Sequence, residues 1–118
     1  MPNETDKPER KLSNKRIWIR KLKKDGRKET GRFLVVLYSI GQGESAKVAI
    51  IVSGRLGGAA VRNKIKRRLR EILRNKARRF FRRGYFLVIA KKAIVNAKFD
   101  QVESEILELI QSISANAQ

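Results

Sequence analysis

The chain has 118 residues, enough for one domain with a modest core and too few for two. Its 29 Lys and Arg against 11 Asp and Glu give a formal charge of +18, and it contains neither Cys nor His. Disulfides, thiolate zinc sites, Ser-His-Asp triads, Cys-His pairs and His-ligated metal centres are therefore excluded.

A field this positive draws polyanions and opposes self-association, which makes nucleic acid the first partner to consider. The carboxylates show no two-metal pattern, so the polypeptide alone is not expected to catalyse. No apolar run approaches the ~20 residues of a spanning helix, and the polar stretch from Asn3 to Lys15 has no signal-peptide core, so the expectation is a cytoplasmic protein without a membrane partner.

Residues 1–10 mix Pro2, Pro8, acids and bases without periodicity and read as a flexible arm, leaving 11–118 as a single domain. Ser13 or Asn14 can cap a helix that runs to Lys24, with Ile17, Trp18 and Leu22 as its apolar stripe, a basic exposed side and Asp25-Gly26 as its stop. Phe33 to Tyr38 and Val48 to Val52 are apolar, rich in β-branched and aromatic residues, and separated by the turn-rich Gly41 to Ser45. They predict a β-hairpin.

After Gly54, Gly57 and Gly58, helical spacing resumes at Val61, Ile65, Leu69, Ile72 and Leu73. Arg74 to Arg83 reads as a basic linker or frayed continuation, in which Phe80-Phe81 would anchor to the core. Tyr85 to Ala90 makes a third strand closed by Lys91 and Lys92, and a last amphipathic helix, Phe99 to Ile113, presents Val102, Ile106, Leu109, Ile110 and Ile113 on one face. The order α-β-β-α-β-α predicts an α+β fold, a two-layer sandwich of a small mixed sheet with three helices. The third strand would join as a parallel neighbour across the central helix.

Charge is concentrated as well as abundant. Arg55 to Arg83 holds thirteen basic residues and one acid, Glu71. At ~100° per residue, Val61, Ile65, Leu69 and Ile72 share one face of the central helix, while Asn63, Lys66, Arg67, Arg70 and Arg74 gather on the opposite one. A merely solvated helix would intersperse Glu to relieve the repulsion between neighbouring turns, whereas phosphates would neutralise it directly. Arg forks onto phosphate oxygens, and the Asn63 amide suits a base edge or a ribose hydroxyl. Gly57-Gly58 would expose backbone N–H groups at the positive end of the helix, a second perch for phosphate.

The segment from Gly57 to Glu71, with Arg62-Asn63-Lys64 followed by Lys66-Arg67-Arg68 and Arg70-Glu71, resembles the signature of the protein subunit of bacterial ribonuclease P. Support extends along most of the chain, from the early helix with its aromatic to the apolar strand ending in two lysines and the closing helix. Lys64 stands where the family most often has a second Arg, Gly54-Arg55 where a Lys pair is usual, and Gly58 where a basic or polar residue is frequent.

The resemblance implies a subunit that joins a large catalytic RNA and assists magnesium-dependent endonucleolytic removal of the 5′ leader of precursor tRNA. The magnesium ions would act at the RNA active site, with no protein metal site. It implies RNA contacts through Arg62, Asn63, Lys64, Lys66, Arg67 and Arg70, and a leader cleft between the first helix and the sheet with Trp18, in place of the usual Phe, and Tyr38. For both aromatics, core packing is the competing reading. It also implies a left-handed β-α-β crossover.

Three other functions fit parts of the pattern. A small ribosomal protein shares the charge and architecture. A DNA-binding regulator would use the central helix in a major groove, although strands flank that helix and DNA is not the expected partner. A protein nuclease would have to cut without RNA.

Overall fold

The structure, a computed structural model, describes residues 8–41, 46–77 and 83–116. Seven main elements follow in order: α1 (Pro8–Asp25), β1 (Arg27–Thr30), β2 (Leu34–Ser39), β3 (Ala46–Ile51), α2 (Ala59–Ile72), β4 (Gly84–Ala90) and α3 (Phe99–Asn116). The α+β class, the three helices and the mixed sheet agree with expectation, and the sheet has one strand more. β1 is Arg-Lys-Glu-Thr, with no apolar residue to announce it. It forms as an edge, paired antiparallel to β2 with Arg27 opposite Tyr38 and Thr30 opposite Val35.

The strand order is β1-β2-β4-β3. The hairpin expected between β2 and β3 is not formed, because β4 lies between them, antiparallel to β2 and parallel to β3. Phe86, Leu87 and Val88 are successive and all buried, so both faces of β4 are covered and only an interior position satisfies them. The parallel β3-β4 pairing across α2 is as expected, while the turn at 42–45 lies outside the described residues.

Side chains alternate across the sheet and separate two clusters. Leu34, Val36 and Tyr38 of β2 with Phe86, Val88 and Ala90 of β4 pack under α2 and α3, which contribute Ile65, Leu69, Ile72, Val102, Ile106, Leu109, Ile110 and Ile113. On the opposite face, Leu22 of α1 packs with Ala49, Leu87 and the half-buried Trp18, Ile19, Leu37, Ile51 and Ile89. Helices therefore cover both faces, and α1 adds a partial third layer to the expected two.

Boundaries differ where local signals were weak. α1 begins at Pro8, a residue tolerated in a first helical turn, so the helix takes in 8–10 of the expected arm and passes through Ser13 and Asn14. The rest of that arm lies outside the described residues. α2 runs on into a turn of π-helix, Leu73–Ala77, so the start of the segment expected as a basic linker or frayed continuation is helical; Phe80 and Phe81 lie outside the described residues.

Two glycines are demanded by geometry. Gly57, at φ 150°, turns the chain into α2, and Gly84, at φ 120°, starts β4 so close to the Ser39 carbonyl that a Cβ would overlap it.

Candidate nucleic-acid interface

α2 starts after Gly58, whose backbone is extended and which supplies no side-chain cap. Ala59 and Ala60 open the helix, its first turn carries no acid, and only Glu71 interrupts the bases along its length. The buried Ile65, Leu69 and Ile72 hold it against the sheet. Val61 departs from the expected inner face and remains 39% exposed. It lies in the first turn and packs against Gly57, where a Cβ would stand 3.1 Å from that of Val61.

The six expected RNA-binding residues divide into two groups. Asn63, Lys64, Arg67 and Arg70 are exposed on the outward side, together with Arg74. Arg62 and Lys66 are half-buried: Arg62 lies between Leu69 and Leu73 on the wheel, and Lys66, expected on the outer face, borders the buried Leu73 instead. The Arg62 Nε is buried with no hydrogen-bond partner. A buried unpaired donor is costly, and a cationic one more so, which marks this flank as a place where an acceptor is wanted.

The second expected site is not assembled as anticipated. Tyr38 is 2% exposed and lies in the main core, its ring stacked on Phe86 at 6.5 Å. Trp18 is half-buried on the other side of the sheet. The aromatic beside Trp18 is Tyr85, 38% exposed, with ring centroids 5.1 Å apart and planes tilted by 37°. The reason is register: Tyr38 pairs with Phe86, and Ser39 pairs with Tyr85, so one step along each strand reverses the face. The alternation of Tyr85, Leu87 and Ile89 carried this signal, but an apolar strand covered on both sides gives no polar contrast to show which face is which.

Trp18 and Tyr85 belong to a hollow of about 290 Å³ whose apolar sides include Ile17 and Leu22 and whose polar groups come from Lys21, Asp25 and Ser39. Ile17 is 64% exposed, unusually open for an isoleucine on a packed helix. Beyond the hollow, Val35, Leu37, Ile51 and Ile89 continue the same sheet face and are only half-buried, with Lys28 of β1 and Lys47 of β3 exposed on that face by register. An apolar floor with aromatic edges and flanking ammonium groups suits bases below and phosphates at the sides.

At the far end of the sheet a carboxylate organises the β1-β2 turn. Glu105 of α3 accepts backbone N–H bonds from Arg32, from Phe33 at 2.8 Å and from Leu34 at 3.1 Å. Lys91, just after β4, donates its Nζ to the Gly31 carbonyl at 2.9 Å, and its backbone N–H binds the Phe33 carbonyl. Among the described residues there is no group of three or more His, Cys, Asp or Glu able to hold a metal ion, and no helix is long and apolar enough to cross a membrane.

Comparison with known proteins places this geometry. A family model for ribonuclease P matches residues 7–114. The ribonuclease P protein component of Petrotoga mobilis is 34% identical over 120 residues, covering 98% of this chain and all of that relative. Among solved structures, the ribonuclease P protein of Thermotoga maritima superposes with a TM-score of 0.75 at 26% identity, over 82% of this chain and 92% of that one. That of Staphylococcus aureus shares the fold with a TM-score of 0.74 at 23% identity, over 82% and 89%. The chain belongs to the bacterial ribonuclease P protein family, the protein component of a ribonucleoprotein endonuclease that processes tRNA.

Proposed function

We propose that the outward face of α2 docks on the catalytic RNA of ribonuclease P, while the hollow beside α1 and the sheet face next to it receive the single-stranded 5′ leader of precursor tRNA. The observation that carries this reading is the division of α2 into an apolar inner face and an exposed outer face bearing Asn63, Lys64, Arg67 and Arg70. Arg62 and Lys66 complete the surface at its edge, and a phosphate or base acceptor there would satisfy the orphaned Arg62 Nε. Family membership supports the same partners, a cytoplasmic setting and a left-handed β3-α2-β4 crossover.

The leader enters as a strand whose bases meet apolar and aromatic surface. Trp18 and Tyr85 pack on one unpaired base, a contact worth ~1 to 3 kcal/mol per base. Tyr38 takes no part, since it is closed within the core. The polypeptide binds and orients. The chemistry of hydrolysis would come from magnesium ions at the RNA active site, not from side chains of this protein.

Reconstitution tests the assignment. The purified chain, added to bacterial ribonuclease P RNA at low magnesium, restores cleavage of precursor tRNA at the mature 5′ end. Absence of stimulation would reject the reading, and cleavage by the RNA-free chain would transfer catalysis to the protein.

A further inference from the structure

α1 carries a second basic surface that the family signature does not include. From Lys15 to Lys24 the sequence holds six Lys and Arg and no acid. Leu22 is buried against the sheet, and Arg16, Arg20, Lys23 and Lys24 are all exposed, within an arc of about 100° on the side away from it. Among the residues whose side chains are described, none of the four has a carboxylate partner. Arg16 with Arg20, and Arg20 with Lys24, stand at the four-residue spacing where like charges repel. Lys23 and Lys24 gain from the negative end of the helix dipole, but Arg16 and Arg20 lie too far back to share that explanation.

α1 and α2 lie on opposite faces of the sheet, so RNA docked on the outer side of α2 does not also cover the outer side of α1. The α1 stripe does join the hollow. Ile17 and Lys21, both in the hollow lining, occupy the flank of α1 between Trp18 and Lys24. A strand with a base against Trp18 and Tyr85 therefore leaves over Ile17 and Lys21 directly onto the stripe.

We propose that the outer face of α1 is a phosphate track for the distal part of the 5′ leader, the nucleotides upstream of the base held in the hollow. This rests on the leader-binding reading above and extends it beyond the cleft. The partner is single-stranded RNA recognised through its backbone, since the stripe offers cations and no aromatic ring. The track adds affinity with leader length and without sequence preference, and its effect weakens with salt.

The test uses the reconstituted holoenzyme and a series of precursor tRNAs with leaders lengthened one nucleotide at a time with uridine. Wild type shows a step in affinity once the leader is long enough to pass the hollow. The variant R16Q/R20Q/K23Q/K24Q binds short-leader substrate and catalytic RNA as wild type does, but has no such step. If the stripe neutralises three phosphates, the salt slope for long leaders falls by about 2 in this variant. A charge-retaining variant, R16K/R20K, keeps the step and reports that the helix is intact. A step that survives in the glutamine variant, or a weakening equal for short and long leaders, overturns the proposal. Failure of wild type to bind any leader would instead remove the leader-binding reading, and the track with it.

Discussion

The grip of Glu105 on the β1-β2 turn yields a stability prediction that can be worked from the structure. Its carboxylate accepts three backbone N–H groups, of which those of Phe33 and Leu34 are partly buried and that of Arg32 is exposed. Summing three bonds to a charged acceptor would overstate the effect, because the Arg32 N–H finds water when the carboxylate is gone. Counting the two partly buried donors at about 1 to 2 kcal/mol each, Glu105→Ala costs about 2 to 4 kcal/mol. For a domain of this size that is roughly 4 °C of Tm per kcal/mol. Glu105→Gln retains one acceptor oxygen and costs about half as much.

A second substitution makes the argument specific. A Cβ on Gly31 would overlap the Glu105 carboxylate, while the Gly31 backbone lies outside the region that only glycine favours. Gly31→Ala therefore costs about 1 to 2 kcal/mol in wild type by displacing the carboxylate, and close to nothing once Glu105 is Ala. Urea unfolding of the four proteins gives the coupling as the difference between the two costs. If the costs add to within about 0.5 kcal/mol, or if Glu105→Ala alone falls below that value, the carboxylate does not hold the turn.

Three further outcomes are expected. Arg67→Ala lowers the salt slope for binding the catalytic RNA by about 1 and leaves the urea midpoint unchanged, as titrations at several salt concentrations would show. Tyr85→Ala and Trp18→Ala weaken leader-bearing substrate by ~1 to 3 kcal/mol relative to leaderless tRNA, whereas Tyr38→Ala costs ~3 to 5 kcal/mol of stability and discriminates against no leader; the reverse pattern would return the cleft to Tyr38. Gly84→Ala, which meets both a φ of 120° and the Ser39 carbonyl, destabilises by more than the ~1 kcal/mol of an ordinary strand substitution, measured by thermal unfolding.

Local pattern carried much of this fold. The spacing of Ile65, Leu69 and Ile72, and of Val102, Ile106, Leu109, Ile110 and Ile113, is visible without coordinates, and every one of these residues is buried. β1 was not visible because an edge strand pairs through its backbone and needs no apolar face. Adjacency in sequence suggests a β2-β3 hairpin that the sheet does not contain. Phe86-Leu87-Val88 points the other way, since a strand apolar on both faces belongs inside a sheet, and an interior β4 separates β2 from β3.

The candidate sites were legible to different depths for a related reason. A helix shows its two faces within a few turns of its own sequence, so the exposed Asn63, Arg67 and Arg70 could be found from spacing, Lys64 came from the family resemblance, and the boundary positions of Arg62 and Lys66 needed the packed structure. A cleft aromatic on a strand is defined by register with its neighbours, and a shift of one residue exchanges a core ring for an exposed one. Tyr38 opposite Phe86 and Ser39 opposite Tyr85 are that exchange. Because Tyr85 and Phe86 are consecutive, β4 ties the hollow to the main core: the ring beside Trp18 is held by the same strand whose next residue stacks on Tyr38 beneath the helical layer. The two proposed RNA surfaces thus stand on opposite sides of one rigid sheet, where catalytic RNA on one side and leader on the other can be held at once.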